Sequence, residues 1–375
     1  QNFKKQSFSK EFFYKFDSST NNFVASINKL LPKELNLNKN IDLLANCPFQ
    51  DRLKNYYIVC KIINSVIDKN VIDFINIDDL ITNNLAELEE DGISFLNFIN
   101  LKDKEIDNFL NFLNDLQRYK GHTIHHSIGK PINSNAMEDN NFYCFNNLEI
   151  LENQTVLKIL NDKNIMKFVI NYFGCVPTLN SLNVYITTPS TDEKGVQFYH
   201  RDNEDFKTLN IFFLLQNTEK NNGGHGFIKH SHDPAKLYKY INKELFKKIK
   251  YIAKNEYNLE IQTVNDLFNI PKDGYGFEKI YNELNFLELD VYGKAGKIFA
   301  ENNFGLHKSI KNTNNRIIFW LSFSMTSVGT TRYCVSHKII RKFIPKRIDY
   351  SKISNFLDNN NLNKYCFRNY INFNK

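Results

Sequence analysis

Nowhere in its 375 residues does the chain approach the ~18 consecutive apolar residues of a membrane span. Its polar start, Gln1 to Gln6, lacks the apolar centre of a secretory signal. Residue 1 is not Met, so the natural start is expected to lie upstream. The six cysteines (47, 60, 144, 175, 334 and 366) are scattered and form no Cys-x-x-Cys, which argues against a disulfide framework and for reduced thiols in a cytoplasmic protein. Glycine is nearly absent from the first third: Gly92 is the only one before Gly121. There is no internal repeat, no RNA-binding motif and no aromatic stacking signature, so no nucleic-acid partner is expected despite a net charge of +7. Hydrophobic residues make up 42% of the chain, enough for a real core.

Among the features present, Tyr199-His200-Arg201-Asp202 is the most informative, together with Gly305-Leu306-His307 and Arg316. In an extended chain, residues i and i+2 project to the same side, so His200 and Asp202 can reach one metal while Arg201 points away. His307 supplies a third ligand from elsewhere. Two histidines and a carboxylate leave the opposite face of an Fe(II) open, which suits an oxygenase that must hold a chelating 2-oxo acid and O2. His307 lies between a strand-like run, 296–305, and the turn-rich segment 311–315, which predicts a hairpin whose return strand is Arg316 to Ser324. Alternation on that strand places Arg316, Ile318, Trp320, Ser322 and Ser324 on one face. A guanidinium at its start can grip a distal carboxylate through two parallel hydrogen bonds. Taken alone, His-x-Asp is a common tripeptide and Arg316 an ordinary surface arginine; the spacing from His307 joins them.

Three blocks in order, Phe198 to Leu215, Asn222 to His232 and Ala295 to Ser309, resemble the phytanoyl-CoA dioxygenase family of Fe(II)/2-oxoglutarate oxygenases over roughly residues 175–325. The resemblance implies that His200, Asp202 and His307 bind iron, that Arg316 binds the far carboxylate of 2-oxoglutarate, that Ser309 assists it, and that Gln197 is a further cosubstrate contact. The family's usual Pro-Gly-Ser-His reads Lys229-His230-Ser231-His232 here, which alters the loop. Relatives that halogenate carry a small residue where Asp202 stands, so hydroxylation or a related oxidation is implied. Base-repair oxygenases carry a second arginine six residues after the first, where this chain has Ser322.

Along the chain, spaced apolar positions predict a helical region over 1–118, including Phe23 to Leu31, Tyr57 to Ile67, a helix ending at Gly92, and Ile106 to Leu116. From 119 to 335 short extended runs, among them Leu182 to Thr188 and Thr208 to Leu215, suit an α+β protein built on a double-stranded β-helix, the cupin-like jelly roll. An insertion at 234–292 contains a basic amphipathic helix over Lys236 to Phe246, placed either as a lid or as packing. Residues 336–375 form a basic tail with Lys338, Arg341, Lys342, Lys346 and Arg347, which could attract an anionic partner. His225, His230 and His232 are read as structural; among His122, His125 and His126 one could line a pocket.

The expected function is therefore an Fe(II)/2-oxoglutarate-dependent dioxygenase. It would hydroxylate a C–H bond of a small-molecule, sugar-derived or lipid-linked substrate, which could be anionic, and release succinate and CO2. The alternatives are a catalytically inactive jelly-roll binding protein and an oxygenase acting on a protein or peptide.

Overall fold

The computed structural model describes Cys60, residues 77–120, 131–325 with short interruptions (133–136, 139–141, 190–192, 194, 203–204, 206, 269 and 271–275), and parts of 348–372. The expected helices at Phe23 to Leu31 and around Tyr57, the histidines at 122, 125 and 126, and the basic cluster 337–347 lie outside the described residues.

Helix α1 (Asp79–Asp91) starts on Asp78, whose side chain accepts from the Ile81 amide, and stops at Gly92 in the left-handed conformation (φ 84). Strand β1 (Ile93–Phe95) follows, then α2 (Asp103–Asn114), which buries Ile106, Phe109 and Leu113 at helical spacing. Short strands β2 (Arg118–Lys120), β3 (Pro131–Ile132) and β4 (Phe142–Cys144) lead to α3 (Asn147–Ile150), α4 (Gln154–Leu160) and α5 (Lys163–Phe173).

The core is a double-stranded β-helix. Strands β5 (Thr178–Thr187), β6 (Thr208–Leu214), β9 (Ile298–Glu301) and β11 (Arg316–Ser324) form the centre of an eight-stranded antiparallel sheet of order β1-β9-β6-β11-β5-β4-β2-β3. Strands β7 (His225–Ile228), β8 (Glu288–Val291) and β10 (His307–Ser309) form a second sheet of order β10-β7-β8. From β5 onward the chain crosses repeatedly between the sheets, with β5 and β6 in the large one, β7 and β8 in the small, β9 in the large, β10 in the small and β11 in the large, and these crossings close the jelly roll.

Alternation decides what each face of the large sheet meets. Leu209, Ile211 and Phe213 of β6 and Phe319, Leu321 and Phe323 of β11 pack under the helices in the main core. Their neighbours Phe212, Leu214, Ile318 and Trp320 point the other way and meet Phe227 and Val291 of the small sheet. The predicted split of β11 into two faces is therefore present, and its more polar face is the inside of the barrel.

Two local expectations are corrected. The hairpin after His307 is absent, because β10 pairs with β7 in the small sheet whereas β11 pairs with β5 and β6 in the large one, so residues 310–315 cross between sheets. The single helix over Lys236 to Phe246 is two helices, α6 (Pro234–Tyr238) and α7 (Lys243–Tyr257). Asn242 interrupts them: its side chain accepts from the Leu245 amide and starts α7 afresh.

The insertion builds its own apolar cluster from Leu237, Ile249, Ala253, Leu267, Ile280 and Leu284, together with Tyr199 and Leu306. Those last two residues each precede a histidine of the His-x-Asp…His set and project to the opposite side. The insertion thus packs behind the site, in agreement with the packing alternative. Among the described residues no helix is long and apolar enough to cross a membrane. Cys60, Cys144, Cys175 and Cys366 are thiols.

Candidate metal centre and anion grip

His200 and His307 lie opposite each other in an antiparallel bridge, with reciprocal amide-to-carbonyl hydrogen bonds of 3.0 Å in both directions. Residues so paired project to one face, and the two rings lie 4.3 Å apart between centroids. The Asp202 amide donates to the Asn303 carbonyl (2.9 Å), which brings its carboxylate to the same place, 3.6 Å from His307 Nε2. One ligand atom from each of His200, Asp202 and His307 falls within 4.8 Å of the others.

The backbone also sets the tautomers. His200 Nδ1 is 2.8 Å from the Phe198 carbonyl and His307 Nδ1 is 3.0 Å from the Gly305 carbonyl. A ring nitrogen facing a carbonyl must carry the proton, so both Nε2 lone pairs point to the shared centre, as a metal requires. Burial and the neighbouring His307 hold His200 down to about 4, which keeps it neutral. Burial opposes protonation of His307 too, but the Glu301 and Asp202 carboxylates outweigh it and raise His307 to about 9. Asp202 is lowered: burial works against its charge, and the hydrogen bond from His307 prevails. A cation is the natural occupant of a centre whose carboxylates otherwise recruit a proton. The donor set of two imidazoles and one carboxylate fits a divalent iron with open positions.

Arg201, between the two inward residues, points away as its position demands. Its guanidinium donates to the Ser231 and Phe304 carbonyls and lies 4.2 Å above the Phe268 ring. It ties together the three segments that carry the site.

Arg316 is buried, 6% exposed, and donates through Nη1 to Ser309 Oγ at 2.7 Å. Its Nε has no partner, and among the described residues no carboxylate lies within ion-pair distance of it. Burial without compensation lowers it to about 10. A buried guanidinium left without a counter-charge is costly, so this position fits an anion supplied from outside the chain. Ser309 is two residues beyond His307, roughly 7 Å along the strand, a span that a five-carbon dicarboxylate bridges. Gln197 is buried in the 3-10 turn Gly195–Gln197, which packs against β10.

Among the described residues the three other histidines divide. His230 Nδ1 and His232 Nε2 each lie 2.9 Å from a carbonyl, of Glu90 and Glu89 in the last turn of α1. They satisfy carbonyls that a helix end leaves open. His230 adopts the left-handed backbone (φ 63), a conformation that favours glycine. His225 behaves differently: its Nε2 is 2.6 Å from Glu301 Oε2, and its ring stacks against His307 with centroids 5.7 Å apart.

Glu301 itself was not singled out in the sequence. It is the lone acid in the apolar strand Ile298–Glu301, two residues after the inward-facing Phe299, and that parity was the available signal.

No family model matches the chain, and no curated protein matches it. Solved structures do. A non-heme α-ketoglutarate-dependent epimerase, SnoN, from nogalamycin biosynthesis shares 13% identity over 65% of this chain and 80% of its own, with a TM-score of 0.39. The carbocyclase SnoK of the same biosynthesis shares 9% over 66% and 84% (TM-score 0.38). HygX from Streptomyces hygroscopicus, with nickel and 2-oxoglutarate bound, shares 11% over 66% and 87% (TM-score 0.39). The fold assigned to this chain rests on its strand order and register, not on likenesses at this level.

Proposed function

We propose that this protein is an Fe(II)/2-oxoglutarate-dependent oxygenase that oxidises a C–H bond of a small-molecule substrate, in keeping with the phytanoyl-CoA dioxygenase-like motif order. The observation that carries the reading is one joint arrangement. Two imidazoles hold their lone pairs toward a carboxylate at one point, and a buried guanidinium without a counter-charge stands a short strand segment away.

In this reading His200, Asp202 and His307 hold the metal. Arg316, helped by Ser309, fixes the far carboxylate of 2-oxoglutarate, and Gln197 borders the cosubstrate. The metal, when bound with 2-oxoglutarate, supplies oxygen activation coupled to loss of CO2 and formation of succinate. The chain's contribution is placement. The Phe198 and Gly305 carbonyls orient the imidazoles, the apolar layer of Phe212, Phe299 and Trp320 keeps water from the inter-sheet space, and Arg316 orients the cosubstrate along it.

The test is anaerobic addition of Fe(II) with and without 2-oxoglutarate, read by the weak visible charge-transfer band of the chelate. Oxygen is then admitted and succinate quantified. A band followed by succinate supports the reading; no band in the wild-type protein, and no difference from Asp202→Ala, overturns it.

A further inference from the structure

Ser322, Asn210 and Glu301 stand directly opposite one another on the adjacent strands β11, β6 and β9. They share parity with Trp320, Phe212 and Phe299, which face the small sheet, so all three face the same way. They interrupt an otherwise apolar inner face. Each is buried, at 3%, 5% and 0% exposure, and each has an oxygen without a partner: Ser322 Oγ, Asn210 Oδ1 and Glu301 Oε1. Thr208, the next inward residue of β6, adds an orphan Oγ1.

Unpartnered oxygens in the interior forfeit their hydration, and a fold that gathers four in one patch does so for something that will hydrogen-bond to them. The patch adjoins the metal centre, since the other oxygen of Glu301 meets His225, whose ring stacks on His307. It is remote from the anion grip: Ser322 is six residues along β11 from Arg316, roughly 20 Å. The carboxylate end of the cosubstrate and this row therefore occupy different ends of the inner face.

We propose that the row Ser322–Asn210–Glu301, with Thr208, is the recognition subsite for the non-reacting part of the substrate, and that it takes a group rich in O–H or N–H donors while rejecting carboxylates and phosphates. Asn210 Oδ1 and Glu301 Oε1 can only accept, and the two hydroxyls can accept as well. The other oxygen of Glu301 lies 2.6 Å from His225 Nε2, the geometry of a carboxylate accepting from an imidazole N–H, so the row carries an acidic group as well. An anion would meet like charge with little solvent to screen it. The involvement of this row in oxidation rests on the function proposed above; its ligand chemistry does not.

The experiment uses the metal-free full chain in an Arg316→Ala background, so that the anion grip takes no phosphate, and compares thermal stabilisation by methyl glucoside (neutral polyol), glucosamine (ammonium-bearing) and glucose 6-phosphate (anionic) at one millimolar concentration; wild type and variant refer to the row. Wild type should be stabilised by one or both of the first two and not by the third. Asn210→Leu and Ser322→Ala should keep or raise the unliganded midpoint, because each removes an orphan oxygen, and should lose the response to the probe. Glu301→Gln should hold methyl glucoside within about threefold of wild type and improve glucose 6-phosphate binding at least about tenfold by removing the like charge. A fall of several degrees in the unliganded midpoint of both Asn210→Leu and Ser322→Ala, no response to either donor-bearing probe, or preference for the phosphate overturns the proposal. Because no metal is present, failure of the charge-transfer test would defeat the oxygenase reading and leave this result standing.

Discussion

Two pairs of buried histidines in this protein look alike by composition and burial, yet are built for different ends. In His200 and His307, Nδ1 is spent on a carbonyl two residues back in the same segment, and Nε2 faces a shared point with a carboxylate beside it. In His230 and His232, a ring nitrogen reaches across to the end of α1, more than a hundred residues away in sequence, and closes a helix terminus. The lesson is that the destination of the second nitrogen, more than burial or clustering, separates a candidate ligand from a staple.

The sharpest way to break this contrast is by deletion. His307→Ala or Asp202→Ala should lower metal-dependent succinate formation at least about 100-fold, since even residues that only support a ligand commonly cost 10- to 100-fold. His232→Ala should leave the charge-transfer band in place on the folded fraction. Loss of the band in His232→Ala would collapse the distinction. Next in size, Arg316→Ala should raise the 2-oxoglutarate requirement by roughly 10- to 100-fold, the worth of charge-assisted hydrogen bonds, with a smaller change at saturating cosubstrate. Steady-state kinetics against 2-oxoglutarate checks this.

The staple should show itself in stability. Burial holds His232 down to about 4, so between about pH 6.5 and 4 the unfolded chain binds a proton that the folded chain refuses. Stability therefore falls as pH drops through that window and levels off below it, by about 3 kcal/mol for this residue. Denaturant unfolding at several pH values should show a shallower acid limb in His232→Gln. Gly92→Ala should cost about 1–3 kcal/mol at any pH, because φ is 84 there and a Cβ would sit 2.5 Å from His232 Nδ1. At the small end, Lys247→Ala removes only an exposed pair with Glu244 (2.9 Å) and should change stability by less than about 0.5 kcal/mol in the same assay.

Much of this was legible from local pattern. Strand parity alone sends His200 and Asp202 inward and Arg201 outward, and it splits β11 into its two faces. Gly92 marks a helix end because it takes the left-handed conformation. What pattern could not supply was pairing. Nothing local in residues 307–316 says that β10 and β11 join different sheets, since that is decided by β7 and β5, more than eighty residues upstream. Glu301 and His225 are each unremarkable in sequence, and only their meeting across the barrel, 76 residues apart, gives them a role. The break at Asn242 was missed because the amphipathic spacing continues through it, although the capping side chain was there to read.

The end of α1 bears on how the molecule comes into being. The Gly92 carbonyl accepts from the Asn302 amide, and the next residue, Asn303, accepts from the Asp202 amide, so the loop beside the candidate metal centre leans on a helix cap made two hundred residues earlier. Strand β1 likewise waits for Phe299–Glu301 to pair with it. Contacts of such long sequence separation form late, after the entropy of closing a large loop has been overcome. A nascent chain therefore carries His200 and Asp202 for about a hundred residues before His307 is made and can join them.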